Sequence, residues 1–311
     1  MLGKYGFIKR HYRGLFNRYQ RGLPVVKYIF EDARALGSVA WHFVRGGFRL
    51  KTIVVFPHFP SRRSSIYRIA GALGCYVTNR RSFGAARALV YWEYLTFREE
   101  AAAARTRAEQ LGCRIINAES LDISKRFVDE HFAAVFGYST FVDPMTHTGP
   151  CVEKGDVNAL HDGRVIDAPV AAPDPSKVYQ IVIDNQHDAR LVMDLRVPVF
   201  LGEIPFVFVK YRPLGERFKN TTVRTTLAET AEVFSSDERA KLAEFCALVK
   251  LEFGELDVLR DRRSGRIYVV DVNNTPQSPP ANCSKADHAR AVRALAAAFE
   301  RAFLQRDSVS V

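Results

Sequence analysis

Two aspartates and an asparagine near the carboxyl end of the chain have a spacing that could bind a metal ion. Two β-rich runs flank turn residues centred on Ser264. A hairpin folded about Ser264 pairs Asp257 with Asp271, because the two numbers average 264, and Asn273 then points to the same face. The sequence therefore predicts three oxygen-bearing side chains side by side.

Two carboxylates that face one another repel unless a cation lies between them. Carboxylate and amide oxygens suit Mg²⁺, which also shares the phosphates of a substrate, and Mn²⁺ accepts similar ligands. A solvated hairpin with its register shifted by one residue would scatter the three side chains. The apolar residues Ile267, Tyr268, Val269, Val270 and Val272 favour a hairpin inside a sheet. We predict one or two metal ions on Asp257, Asp271 and Asn273.

Six further pieces of the chain, together with this hairpin and Pro276, resemble the ATP-grasp superfamily in type and in order. No single piece is specific, but the ordered set is. The pieces are Ser124-Lys125 at the start of a helix, Cys151 to Lys154, the loop 158–163, Tyr179 to Asp184, Asp194-Leu195-Arg196 and Lys210-Tyr211-Arg212.

The resemblance implies a role for each group of residues. Lys125 and Lys154 would bind phosphates, Gln180, Ile181, Ile183 and Asp184 would bind adenosine, and Arg196 and Arg212 would stabilise the charge that develops during transfer. It implies a ligase that uses ATP and Mg²⁺ to activate a carboxylate as an acyl phosphate and joins it to an amine or thiol, and it implies a homodimer. An ATP-grasp kinase, or a regulatory nucleotide-binding protein attached to an anionic surface, would show the same pieces.

The sequence also departs from that pattern. The loop 158–163 lacks a glycine-rich run, and residues 274–277 lack the Pro-Gly that shapes the substrate pocket in some relatives. The relatives therefore do not indicate which carboxylate this protein uses. It could belong to a small molecule or to a polymer, such as a uronic-acid polysaccharide or its lipid-linked precursor. Three segments are weaker candidates. Segment 57–65, with Arg62 and Arg63, could recognise the non-nucleotide substrate, and the basic loop 215–226 could bind an anionic substrate or the acyl phosphate. His161 with Asp162 would belong to a lid.

The elements that must position these residues follow from hydrophobic periodicity. Short buried strands alternate with helices from Lys51, which predicts a parallel α/β domain over residues 51–121. The resemblance implies an ATP-grasp domain over 122–305. Its two α+β lobes would clasp ATP, with a lid subdomain at 122–180 and a metal-binding core at 181–305. Residues 306–311 are predicted to form a tail. Helices are predicted at 65–73, 97–111, 124–136, 237–252 and 285–304.

The first 50 residues are predicted to form a basic amphipathic helical segment. The formal net charge is +11, and residues 1–51 hold eleven Lys or Arg against Glu31 and Asp32. Helical spacing from Ile8 to Tyr19 and from Val25 to Val44 predicts amphipathic helices. This segment suits an anionic partner, such as a membrane surface or an acidic polymer, and we expect no nucleic-acid partner. Two helices packed on the next domain would show the same pattern.

Composition excludes several classes of protein. A hydrophobic content of 47% favours a folded core, no stretch reaches the roughly 18 apolar residues of a membrane span, and the basic start is unlike a secretory signal. Five cysteines without a C-x-x-C spacing predict neither disulfides nor a zinc site. We therefore expect a cytoplasmic protein, with peripheral attachment to the inner face of the membrane through residues 1–50.

Overall fold

The computed structural model describes residues 25–79, 84–158, 160, 162–219 and 221–305. The helix predicted at Ile8 to Tyr19, the candidate His161, Asn220 of the basic loop and the tail at 306–311 lie outside the described residues. Within them, no helix is both long enough and apolar enough to cross a lipid bilayer.

A four-stranded parallel sheet follows the first described helix, α1 (Val25–Arg45). Its strands are β1 (Lys51–Pro57), β2 (Tyr76–Thr78), β3 (Ala85–Trp92) and β4 (Arg114–Ile116), in the order β2-β1-β3-β4. Helices α2 (Ser65–Ala72) and α3 (Ala102–Leu111) form crossovers, as parallel pairing requires. The alternation predicted from Lys51 is therefore confirmed. Helix α3 starts five residues later than predicted, because Phe97 forms a β-bridge with Asp122.

A three-stranded antiparallel sheet comes next. Helix α4 (Lys125–Phe136) precedes β5 (Gly149–Gly155), β6 (Arg164–Ala168) and β7 (Lys177–Ile181), and the strand order is β6-β5-β7. The helix begins where predicted because the Ser124 hydroxyl accepts a hydrogen bond from the Phe127 N–H, at 3.4 Å, and so caps its first turn.

The largest sheet has five antiparallel strands and carries the predicted hairpin. They are β8 (Leu191–Phe200), β9 (Val207–Pro213), β10 (Arg224–Ala228), β11 (Phe253–Arg260) and β12 (Ile267–Asn273), in the order β10-β9-β8-β11-β12. Helices α5 (Thr230–Val233) and α6 (Ser236–Leu248) lie between β10 and β11. The prediction of a loop over 215–226 missed β10, because the polar sequence Arg-Thr-Thr forms a strand at the edge of the sheet, next to β9.

Two of the four hydrophobic clusters among the described residues pack helices onto the five-stranded sheet. One face of the five-stranded sheet packs its aliphatic residues, such as Leu195 and Leu256, against Phe132 of α4 and Phe245 of α6. Helix α7 (Lys285–Phe299), extended by a π-helical turn at Glu300–Leu304, fills the space between the parallel sheet and Phe253 of β11. This packing places the parallel sheet beside the open end of the hairpin, where β11 begins and β12 ends.

Candidate functional site

The hairpin of β11 and β12 has the predicted register at the residues that matter. Asp257 pairs with Asp271, and a β-bulge after Asp257 then shifts the remaining pairs by one residue. The Oδ1 atom of Asp261 accepts hydrogen bonds from the N–H groups of Arg263 and Ser264, at 3.0 and 2.8 Å. The turn is therefore closed by its own side chain, and the facing of the two aspartates is confirmed.

Charged side chains gather on one face of the five-stranded sheet. Because side chains alternate along a strand, the face opposite the aliphatic core receives alternate residues of four adjacent strands. Several of these groups are almost completely buried: Lys210, Asp194 and Glu255 are 4%, 8% and 1% exposed. The group consists of Asp194, Arg196, Lys210, Arg212, Glu255, Asp257, Asp271 and Asn273.

Arg196 lies between two of these carboxylates. Its guanidinium donates a bidentate pair of hydrogen bonds to Asp257, at 3.0 and 2.9 Å, and a third to Glu255, at 3.3 Å. Burial opposes ionisation of Asp257, but Arg196 and Lys210 outweigh it and lower the pKa of this carboxyl. The cation that the sequence requires beside Asp257 is therefore supplied in part by the protein itself.

Among the described residues, no arginine or lysine pairs with Asp271 in this way, and its buried Oδ1 atom makes no hydrogen bond to any of them. Burial, reinforced by the neighbouring charge of Asp257, raises the pKa of Asp271 to about 6. A buried, unpartnered carboxylate oxygen facing a second carboxylate fits a cation site.

The third predicted ligand, Asn273, already uses its amide oxygen in hydrogen bonds. Its amide oxygen accepts hydrogen bonds from the N–H and hydroxyl of Thr275, at 2.9 and 3.3 Å. No cluster of three or more His, Cys, Asp or Glu side chains suited to a metal occurs among the described residues. The donor set for a metal is thus two carboxylates, with the amide of Asn273 available only if it leaves Thr275.

Two lysines face the aspartates from the three-stranded sheet and the helix beside it. Lys125, the first residue of α4, donates from Nζ to the carbonyls of Asp156 and Val157 and to Oδ1 of Asn158, at 3.3, 3.0 and 3.2 Å. Lys154 lies on β5, and burial, with the nearby charge of Lys125, lowers its pKa to about 8. Burial also lowers the pKa of Lys125.

A cleft of about 190 Å³ separates these lysines from the five-stranded sheet. Its lining includes charged side chains, among them Lys125, Lys154 and Asp271, and aliphatic side chains from both sheets. Such a lining suits a ligand with a polyanionic part and a flat apolar part. The lining aliphatic residues are Val152, Ile181, Val182, Ile183, Leu259 and Val270.

Comparison with known proteins identifies this arrangement of sheets. No protein-family model matches the sequence, and no curated protein sequence matches it. Solved structures do match. The ATP-grasp ligase PsnB, complexed with a minimal precursor, Mg and ADP, superposes with a TM-score of 0.52 at 16% identity, over 80% of this chain and 96% of that chain. The chain has the ATP-grasp fold. The D-alanine–D-alanine ligase from Bacillus anthracis is similar at a TM-score of 0.47 and 13% identity, over 82% of this chain and 95% of that chain.

In this ATP-grasp fold, the strand predicted to bind adenosine borders the cleft. Gln180 donates from Nε2 to the Thr140 hydroxyl at 2.7 Å, and the Ile181 N–H donates to the Thr140 carbonyl at 2.8 Å. The carbonyl of Ile183 accepts from Arg217 at 3.2 Å. The Asp184 carboxylate pairs with Arg262 and Arg263 of the hairpin turn and is not among the residues that line the cleft, so its contact with ribose stays a prediction.

The cleft of the ATP-grasp fold brings together most of the residues predicted as its site, but not all. Arg196 and Asn273 join Asp184 outside the lining, because Arg196 is held by Asp257 and Glu255 and Asn273 by Thr275. The predicted site residues that do line the cleft are Lys125, Lys154, Gln180, Ile181, Ile183, Arg212, Asp257 and Asp271.

Some polar and charged residues in or beside this cleft were not predicted from the sequence. Lys210 and Glu255 were not assigned, although each lies two residues from an assigned residue on the same strand and so shares its face. Asn185, next to Asp184, lies in the cleft lining and donates to Oδ1 of Asp194 at 2.9 Å. Arg212 pairs with the other oxygen of Asp194, also at 2.9 Å.

Proposed function

We propose that this protein is an ATP-dependent ligase that activates a carboxylate as an acyl phosphate and transfers the acyl group to an amine or a thiol. One observation carries the proposal: the unpartnered carboxylate of Asp271 faces Asp257 beneath Lys125 and Lys154. The aspartates call for a cation and the lysines for an anion. A magnesium–triphosphate complex supplies both.

Different groups of residues in the cleft would bind the metal, the phosphates and the adenosine of ATP. Asp257 and Asp271 would hold Mg²⁺, with Asn273 after its amide turns from Thr275, and the bound ion would offset the charge of the transferring phosphoryl group. Lys125 and Lys154 would bind the phosphates. The backbone and aliphatic side chains of residues 180–183 would hold adenine, with Asp184 and its cleft-lining neighbour Asn185 near the ribose.

Two arginines would act on the charge that develops during transfer. Arg212 lines the cleft and is positioned by its ion pair with Asp194. Arg196 would act from beneath Asp257, since it reaches the cleft only through that carboxylate. Fixed guanidinium groups in a buried site stabilise such charge without reorganisation.

The cleft must open to admit a nucleotide. Its volume of about 190 Å³ lies below the roughly 300–1,000 Å³ of small-molecule pockets. We therefore assign residues 122–180 as a lid that moves against the core at 181–305. The contacts to be broken include the hydrogen bond from Asn158 Nδ2 to the Val272 carbonyl, at 3.2 Å.

The ligases that share the fold support carboxylate activation. PsnB has been solved with Mg, ADP and a minimal precursor, and with AMPPNP and its precursor peptide. A carboxylate on a peptide or on another polymer is accordingly the first substrate class to test here.

The experiment is ADP release by the purified protein with MgATP, supplied in turn with single carboxylates, single amines and pairs of the two. Hydroxylamine should replace the amine and trap the acyl phosphate as a hydroxamate, whereas a kinase that forms a phosphate ester would give none. Asp271→Asn should abolish turnover. Asp167→Asn, an exposed acid on β6, should leave it unchanged. If the protein neither binds nor hydrolyses MgATP, the proposal fails.

A further inference from the structure

In the part of helix α1 whose side chains the structure describes, residues 33–34 and 36–45, one face packs on the parallel domain. The Ser38 hydroxyl donates to the Gly71 carbonyl of α2 at 2.9 Å. The ring of His42 lies directly against Gly74, so closely that a Cβ there would be 2.2 Å from the ring. These contacts define the inner face of the helix and leave the opposite face in solvent.

Large apolar side chains cover that outer face. At 100° per residue, Leu36, Val44 and Trp41 span an arc of about 140°, and Phe48 follows just after the helix ends. They are 60%, 56%, 58% and 70% exposed, respectively. A contiguous apolar surface of this kind on a soluble domain marks an interaction site. We call these four residues the α1 surface.

Basic residues border the α1 surface. Arg34 and Arg45 lie at the edge of the arc beyond Trp41, and the Arg45 guanidinium is 4.7 Å from the centroid of the Trp41 ring. Arg49 and Lys51 follow Phe48 in the sequence. Residues 1–51 together hold eleven Lys or Arg against two acids, a net charge of +9. An apolar face edged by arginine and anchored by tryptophan is the composition of helices that lie in a membrane interface.

We propose that the α1 surface docks on an anionic lipid bilayer, with Leu36, Trp41, Val44 and Phe48 entering the interface and the bordering arginines contacting lipid phosphates. A nucleic acid would satisfy the arginines but leave Leu36 and Val44 in water. An anionic lipid surface would bury the apolar side chains and also bind the arginines through its phosphates. The inference stands apart from the nucleotide chemistry, because no residue of the α1 surface lines the cleft.

The chain contains its own reporter for this contact. Of its two tryptophans, Trp92 is fully buried and Trp41 is exposed. The full-length protein should show a shift of tryptophan emission to shorter wavelength with vesicles of equal parts phosphatidylcholine and phosphatidylglycerol. Phosphatidylcholine alone should give little shift, and added salt should reverse it. Trp41→Phe should remove the shift while the protein still sediments with anionic vesicles.

Matched substitutions separate the α1 surface from exposed apolar residues in general. Val44→Ser with Phe48→Ser should weaken vesicle partitioning by at least about tenfold, since loss of one buried large side chain corresponds to a factor of that order. Leu95→Ser with Leu248→Ser, at positions 49% and 40% exposed, should leave it unchanged. Circular dichroism checks that all variants fold.

Three results would overturn the proposal. The first is absence of both the emission shift and sedimentation with anionic vesicles at low salt. The second is a shift that depends on protein concentration without lipid, which would mean that a second copy covers the α1 surface. The third is a shift with duplex DNA and none with vesicles.

Discussion

Asp271 has a buried carboxylate oxygen without a hydrogen-bond partner among the described residues, and it faces a second carboxylate, Asp257. Because burial raises its pKa from 3.8 to about 6, the ionised form is disfavoured in the folded state. The folded protein therefore loses stability as pH rises from about 4 to about 6, and the loss is complete above that range. At neutral pH it amounts to at most about 3 kcal/mol, at 1.36 kcal/mol per pKa unit.

Asp271→Asn should consequently stabilise the metal-free protein. We expect a gain approaching that value at pH 8 and none near pH 4, measured by urea unfolding in EDTA. With Mg²⁺ added, the wild-type protein should become more stable than the variant, because only the wild-type protein has the carboxylate that binds the ion. A variant that is less stable than wild type in EDTA at pH 8 would contradict this account of Asp271.

Lys154 makes a second prediction about protons. Its pKa of about 8 leaves the side chain about half neutral at pH 8, and a bound phosphate would restore the charge. Binding of ATP in EDTA at pH 8 should therefore take up protons, and at pH 6 it should not. Calorimetry in buffers with different heats of ionisation measures the uptake.

The control for Lys154 is Lys154→Arg. Arginine keeps the charge but does not titrate in this range, so ATP binding should persist while part of the proton uptake disappears. Lys210, whose pKa burial also lowers to about 8, would supply the remainder. Equal uptake by the variant and the wild-type protein would exclude Lys154 as the titrating group.

At the scale of elements, the hairpin of β11 and β12 depends on a close approach at Gly254. A Cβ at this position would lie 2.6 Å from the backbone oxygen of Asn273 and equally close to Leu251. Gly254→Ala must therefore push β12 away from β11 beside the predicted metal ligands. We expect a loss of about 1–3 kcal/mol in the free energy of unfolding, as in other overpacked sites, together with weaker Mg²⁺ binding.

Gly71→Ala is the matched control. Gly71 lies in α2 with no atom within 4 Å of an added Cβ, so the variant should be unchanged or stabilised by about 0.5–1 kcal/mol through helix propensity. Denaturant unfolding of both variants provides the comparison. Equal stability of the two variants would show that the close approach at Gly254 is not a constraint.

At the scale of the whole molecule, Asn117 joins the parallel sheet to the five-stranded sheet. Its Oδ1 accepts from the N–H groups of Glu252 and Phe253, at 3.1 and 2.9 Å, and its Nδ2 donates to the Phe253 carbonyl at 2.6 Å. Its backbone is left-handed, with φ of 63°. The side chain thus substitutes for a strand partner at the start of β11.

Two substitutions of Asn117 separate its side-chain and backbone roles. Asn117→Gly keeps the left-handed backbone and leaves buried N–H groups unpaired, which should cost about 2–4 kcal/mol. Asn117→Ala should cost about 1–2 kcal/mol more, because alanine resists this φ. Calorimetry should also show two transitions if the sheets uncouple. Equal stability of the glycine variant and the wild-type protein would rule out this bridge.

Much of the site was readable from local pattern. The pairing of Asp257 with Asp271 follows from counting outward from a turn, and the helix beginning at Lys125 follows from its serine cap. The alternation of strands and helices after Lys51 follows from hydrophobic period. Each depends on neighbours within about twenty residues, where backbone geometry alone links sequence to position.

Only the tertiary structure decided which partner each charged group takes. Arg196 was predicted to act in the cleft, yet strand pairing places it beside Asp257 and Glu255. Asp184 was assigned to ribose, yet the hairpin turn brings Arg262 to it from 78 residues away. Pairing energies between buried charges depend on distance and desolvation. These quantities exist only after distant strands have been brought together.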